Sequence, residues 1–182
     1  MAALPVKASA EWLALREPAD AAARSTELVD ELVSFLPERE LVVHDLGCGT
    51  GSMARWLAPL LPGPQRWVLH DRDLELLDRV DLAGVAGLDA ETRHGDITRL
   101  DQATLTDADL ITASALLDMM TAEELARFVR ICAGVGCPVL ITLSVVGRVE
   151  LTPADPLDSE VMAAFNAHQR RDATRGRLLG PD

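Results

Sequence analysis

Residues 41–51 read LVVHDLGCGTG, and this stretch restricts the fold more than any other. Leu41, Val42 and Val43 are apolar and β-prone, a strand leading into Asp45. Gly47, Gly49 and Gly51 then alternate with Cys48 and Thr50 before Met53, Trp56, Leu57, Leu60 and Leu61 take up helical spacing. The pattern is strand, glycine turn, helix. Glycine carries no Cβ, so the backbone N–H groups of such a turn can approach a ligand. At the carboxyl end of a parallel strand, that is the place for a nucleotide-like cofactor.

The rest of the chain repeats strand and helix. Expected strands are 66–70, about 91–94, 109–114 and 138–146, the last apolar on both faces as a central parallel strand should be. A helix through Leu74, Leu77 and Val80, closing at Gly84 or Gly87, and a second after the capping box Thr121-Ala122-Glu123-Glu124 lie between them. The second carries Leu125, Phe128, Val129 and Cys132 as its buried stripe. This alternation predicts an α/β, Rossmann-like, doubly wound and mainly parallel sheet in three α/β/α layers. Ahead of it, 9–17 and 19–36 read as two helices parted by Pro18, with Leu28, Leu32, Phe35 and Leu36 on one face and Asp20–Arg24 as a surface pair. They form an N-terminal helical cap. The single domain therefore divides into a cap (1–37), a cofactor-binding core (38–147) and a C-terminal loop and helix (148–182), the helix spanning about 158–172 with Val161, Phe165 and His168 on one face.

With 182 residues there is room for one substantial core. A net charge of −12 argues against an extended nucleic-acid partner. Three cysteines, Cys48, Cys132 and Cys137, form neither a CxxC pair nor a zinc pattern, which fits a reducing, cytoplasmic setting. Cys48 between two glycines reads as structural, and the other two as inert thiols. The N-terminus shows no signal-peptide pattern, and no apolar run approaches the roughly 18 residues of a membrane span. Sixteen arginines against the single Lys7 suggest a GC-rich bacterial source.

Three aspartates sharpen the cofactor. Asp45 precedes the glycine turn, Asp71 ends the second strand and Asp96 follows the third. Asp71 can accept from both hydroxyls of a ribose, and Asp96 from an exocyclic amine. Together these residues resemble the class I S-adenosylmethionine-dependent methyltransferases, whose acidic residue followed by G-x-G-x-G is matched by Asp45-Leu46-Gly47-Cys48-Gly49-Thr50-Gly51. The resemblance covers roughly 10–147. It implies that the loop packs against the methionine and ribose parts of the cofactor, that Asp71 holds the ribose, and that Asp96 and Ile97 hold the adenine. The implied cofactor-binding set is Asp45, Gly47, Cys48, Gly49, Gly51, Asp71, Arg72, Asp96, Ile97 and Ser114, with S-adenosylhomocysteine as product. A NAD-dependent oxidoreductase would need glycine at position 52, where Ser52 stands.

The family's sheet has seven strands, but only 35 residues follow Gly147 and RLLGPD shows no strand pair. The last two strands are thus expected to be missing, as in a shortened form or a natural short one, with the fifth strand's edge covered by the tail or by a second copy or partner chain. Methyl transfer to a small-molecule acceptor needs in-line positioning, and a general base only where the acceptor loses a proton. Asp118 and His168 are the candidate catalytic residues, and Arg171 could meet an acidic substrate. A non-catalytic cofactor-binding protein is the alternative, since tyrosine is absent. Finally, His44, His70 and His94 precede the three aspartates by one or two residues. They could form a polar ladder that makes cofactor affinity fall below about pH 6.5; no metal site is expected.

Overall fold

The computed structural model describes residues 8–181. Its sheet is built on β1 (Leu41–Leu46), flanked by β2 (Gln65–Asp71) and β3 (Leu88–His94) on one side and by β4 (Leu110–Ser114) and β5 (Val139–Thr142) on the other. All neighbours are parallel, in the order β3-β2-β1-β4-β5. Chain direction across the sheet reverses between β1 and β4, so the crevice beyond their carboxyl ends is the place where such sheets bind ligands.

Register decides which side chains face that crevice. Asp45 lies opposite Leu69 of β2 and Thr112 of β4. Alternation along each strand then puts Asp45, Asp71, Thr112 and Ser114 on one face, and His44, Leu46, His70 and Ile111 on the other. Below the aspartates, Val43, Trp67, Leu69, Leu110 and Leu140 pack against α2 (Thr26–Val33), α3 (Ser52–Leu57) and α4 (Leu74–Leu77). On the opposite face, Leu46, Ile111 and Ala113 meet Phe128 and Cys132 of α5 (Ala122–Val135). The α/β/α layering therefore has the expected form, with a separate apolar cluster on each side of the sheet.

Several boundaries differ from expectation. The first helix, α1 (Ala10–Ala23), runs through Pro18 and stops at Arg24, whose extended backbone hands over to Ser25. Ser25 caps α2 by accepting from Leu28 N at 3.3 Å. The break is thus set by the capping serine, with proline tolerated in a helix that has no fully buried residue of its own. In α2 the buried residues are Val29 and Leu32, while Leu28 and Phe35 are exposed. Asp20 pairs with Arg16 at 2.8 Å, and the expected Asp20–Arg24 surface pair does not form. The helix α4 spans one turn only. At β5, four residues long and on the sheet edge, the strand ends where Leu143 takes a left-handed φ of 59°, and Val145 and Val146 lie outside it.

The tail also departs from the reading of its sequence. After α6 (Asp158–Gln169), the short strands β6 (Asp172–Ala173) and β7 (Gly176–Arg177) pair antiparallel in a sheet of their own. They do not extend the main sheet, which stops at five strands. The tail's hydrogen bonds run to the β4–α5 connection: Leu179 N donates to Met120 O at 2.8 Å and Gly180 N to Asp118 O at 2.9 Å. Val161 and Phe165 of α6 are exposed, not buried.

The capping box of α5 is formed as expected. Thr121 Oγ1 accepts from Glu124 N at 3.2 Å, and Glu124 Oε2 accepts from Thr121 N at 2.9 Å. Because Thr121 is buried and bridges to Leu178 as well, Thr121→Ala is expected to lower stability by about 1–2 kcal/mol. Urea unfolding would register this as a lower midpoint at unchanged slope.

Candidate cofactor site

The glycine turn closes on itself through the ends of two strands. Gly47 N and Cys48 N both donate to His70 O, at 2.8 and 3.0 Å. Asp71 Oδ2 accepts from Gly49 N at 2.8 Å, and its Oδ1 from Asp73 N at 2.9 Å. Gly47, Gly49 and Gly51 all have positive φ (76°, 56° and 87°), a conformation that side chains resist. A Cβ on Gly47 would stand 3.1 Å from Leu116 Cδ1, and one on Gly49 would stand 3.0 Å from Leu13 Cδ1. Leu116 follows β4 and Leu13 comes from α1, so both elements close over the turn.

Between them is a cavity, open to solvent on one side, that encloses about 60 Å³. Asp45, Gly47, Cys48 and Gly49 form its floor, Ser52 and Met53 of α3 one wall, and Ser114 with Ala115 another. Leu13, Arg16 and Asp20 close it from α1. Ala115 has a left-handed φ of 51°, a strained position for a residue bearing a Cβ, directly at the cavity.

Of the sequence-predicted set, Asp45, Gly47, Cys48, Gly49 and Ser114 therefore meet at one cavity. Gly51 caps α3 beside it. Asp71 is committed to holding the turn, and Arg72 next to it is exposed. Asp96 starts a 3-10 turn, accepting from Thr98 N and Oγ1 at 3.0 and 2.7 Å. Burial works to raise its pKa, but these bonds and the charges of Arg175 and Arg72 bring it below the ordinary carboxylate value. Ile97 reaches toward Gly47. Asp118 lies in the turn after β4 and His168 is exposed on α6; neither lines the cavity.

Asp45 is the electrostatic centre. It is fully buried, and burial raises its pKa to about 7 against the opposing effects of the Thr112 hydrogen bond and the Arg24 charge. Its Oδ1 accepts from Thr112 Oγ1 at 2.8 Å, whereas Oδ2 has no partner. Cys48 beside it is held protonated, since burial and the two aspartates push its thiol pKa well up. Burial likewise raises Cys132 to about 11 and Cys137 above its ordinary value. The residues missed by sequence reasoning come from α1 and its end: Leu13, Arg16, Asp20 and Arg24. The regular i, i+4 spacing of acids and arginines there was legible, but not which members turn inward.

The histidines divide by face. His44 and His70 stack with ring centroids 5.1 Å apart, and His44 Nδ1 lies 3.0 Å from His70 Nε2. His44 Nε2 reaches Asp107 Oδ1 at 3.1 Å. His94 is opposite Asp71 in register, hence on the other face, where its Nε2 donates to Arg72 O. The ladder therefore has two members, not three. Burial lowers the pKa of both, that of His70 from its ordinary 6.5 to about 4. Both rings stay neutral in the fold and take up protons on unfolding, so their contribution is present above pH 6.5 and lost as the pH falls toward 4. Asp45, with a raised pKa, works in the opposite sense, its contribution being lost as the pH rises through about 7. A His44→Phe/His70→Phe double variant is expected to lose stability less steeply than the parent between pH 6.5 and 4, measured by urea unfolding across that range.

The family model for the methyltransferase domain matches residues 43–138. Among solved structures, the chain is similar to CalO1, a methyltransferase in calicheamicin biosynthesis, in its S-adenosylhomocysteine-bound form, at 22% identity and a TM-score of 0.53. That match covers 95% of this chain and 49% of CalO1. An O-methyltransferase family protein from Burkholderia thailandensis matches at 22% identity and a TM-score of 0.54, over 94% of this chain and 48% of the other. The small RNA methyltransferase HEN1 matches at 15% identity and 0.52, over 79% of this chain and 22% of its own. This chain thus spans between about a fifth and a half of the lengths of these structures, and their likeness concerns the fold. No curated protein sequence matches.

Proposed function

We propose, from the premise that this chain belongs to the methyltransferase domain family, that it binds S-adenosylmethionine and transfers its methyl group to a small-molecule acceptor. The observation carrying this reading is the glycine turn: three left-handed glycines at the end of β1, over a cavity whose floor holds a buried carboxylate oxygen without a partner. A turn of this kind accommodates an uncharged or cationic group close to backbone, whereas a pyrophosphate beside Asp45 would be repelled. The sulfonium supplies an electrophilic methyl group. The chain's part is to hold that end against Gly47 and Gly49 and to shield it from water under α1, so that positioning supplies most of the rate effect.

In this reading Asp45 serves the cofactor's ammonium, Asp71 holds the ribose side of the turn, and Asp96 with Ile97 lines the adenine end near Gly47. Arg72 and Ser114 flank the cofactor. Asp118, three residues beyond Ala115, and His168 are the candidates for proton removal from an acceptor. Unchanged turnover in Asp118→Asn or His168→Ala would remove the residue concerned. The small-molecule class is favoured by the net charge of −12, which disfavours a polyanionic acceptor. A second reading, a cofactor-binding protein without catalysis, is favoured by one observation: neither candidate base lines the cavity. No helix among the described residues is long and apolar enough to cross a membrane. Among the described residues no strand pairs with the outer edge of β5, which a second copy or partner strand would cover in this reading.

Calorimetry with S-adenosylhomocysteine is the direct test, followed by methyl-donor consumption with candidate acceptors. Because Asp45 titrates near 7 in the free protein, binding an ammonium there should release a proton below that pH. S-Adenosylhomocysteine affinity is therefore expected to rise between pH 6 and 8 and to lose this dependence in Asp45→Asn. Absence of S-adenosylhomocysteine binding at any of these pH values would end the methyltransferase reading.

A further inference from the structure

The C-terminal hairpin carries a charge back to the sheet. Between β6 and β7 the chain turns through Thr174 and Arg175. The segment after it is pinned to the β4–α5 connection by the bridge of Leu178 to Thr121 and by the bond from Leu179 N to Met120 O. The tip therefore stands at the start of α5. There Arg175 Nη1 donates to Glu124 Oε1 at 2.5 Å and to Thr98 Oγ1 at 3.4 Å. Glu124 is the acid of the α5 capping box, and its other oxygen already accepts from Thr121 N. The ion pair is shielded enough to fix the guanidinium, with 32% of the arginine side chain and 14% of the glutamate exposed.

Thr98 passes this contact on. A hydroxyl has one proton and two lone pairs, so Oγ1 can accept from Arg175 while it donates to Asp96 Oδ1 at 2.7 Å. Thr98 N donates to the same oxygen at 3.0 Å. Asp96 Oδ1 is thus filled from within the protein. Its Oδ2 lies 3.8 Å from Arg99 Nε, too far for a hydrogen bond, and the side chain is 33% exposed. This is the oxygen left for a ligand amine, and its direction depends on how firmly Oδ1 is held. Hydrogen bonds in such a chain polarise and strengthen one another. We infer that Arg175 is a positioning residue for the cofactor: by holding Thr98 it aims the Asp96 carboxylate at the amine of the adenine. A residue of the tail, which lines no part of the glycine-turn cavity, thereby sets the selectivity for the base. This rests on the methyltransferase reading, in which Asp96 lies at the adenine end.

The test compares S-adenosylhomocysteine with S-inosylhomocysteine, which has a carbonyl oxygen in place of the adenine amine, by calorimetry at pH 7.5. The parent protein is expected to prefer the adenosyl compound by at least about tenfold, as for a hydrogen bond to a charged acceptor. Arg175→Met should cut that preference by about three- to tenfold, Thr98→Val should do the same, and the double variant should add nothing further. A general loss of structure would weaken both ligands and leave their ratio alone, so an unchanged ratio in Arg175→Met overturns the inference. So do additive losses in the double variant, or a parent that binds both compounds alike; in these cases the methyltransferase reading stands. If the parent binds neither compound, both readings fall. Should Arg175→Met not fold, Thr98→Val and Arg175→Lys decide: the relay predicts a reduced preference in the first and at least half of the parent's preference in the second, and either result failing overturns it.

Discussion

A carboxylate buried at the end of the central strand is the constraint on which the rest of this structure depends. Asp45 cannot be solvated where it stands, and only one of its oxygens finds a partner within the described protein. Its neighbours are arranged around that cost. Thr112 lies opposite in register and supplies the one hydrogen bond, while Arg24 contributes charge from the side. Asp71, two positions beyond the in-register Leu69, faces the same way but is satisfied differently, by hydrogen bonds from the backbone N–H groups of Gly49 and Asp73. Two acids on one face of one sheet thus have separate tasks. One shapes the turn, and the other, beside the cavity, keeps one oxygen without a hydrogen-bond partner.

The same turn is supported from the far face of the sheet. His70 provides the carbonyl that holds Gly47 N and Cys48 N, and its ring is fixed by stacking on His44, which in turn reaches Asp107. A loop with three left-handed glycines has little intrinsic preference for one shape. Here its conformation is fixed by strand-end groups above and below the sheet, so changes to the histidine pair should be felt at the cavity although neither ring touches it.

What was legible in the sequence follows from the range of the forces involved. Strand identity and the glycine turn are local: β1, β2 and β4 are read from β-branched runs, and Gly47, Gly49 and Gly51 from the spacing itself. The capping box at Thr121 is equally local, and it forms as its sequence implies. By contrast β5 is shorter than its apolar run, because the run from 138 to 146 does not show where Leu143 turns into the left-handed region. The tail hairpin leaves no signal in the sequence, since two-residue strands have no periodicity and the backbone partners of the segment after it lie about 60 residues away at Asp118–Met120. For the histidines, three equivalent positions in sequence became two because register, which no single strand reveals, places His94 opposite Asp71.

The N-terminal helices show the limit most clearly. Pro18 suggested a break, yet the chain breaks six residues later at Arg24, where Ser25 can cap the next helix. That shift changes the meaning of the whole segment. With the break at Pro18, Arg24 would sit mid-helix, and pairing it with Asp20 on the surface would be reasonable. With the break at Arg24, its backbone is extended and its side chain is free to leave the helix surface for the cavity wall, while Asp20 turns to Arg16. A boundary set by one capping serine thereby determines whether a guanidinium is a surface charge or a buried donor to Ser52 and Ser114 of the cavity wall. The cap is consequently inseparable from the site: Leu13 over Gly49, Asp20 at the cavity and Arg24 behind Ser114 are all positioned by where α1 ends.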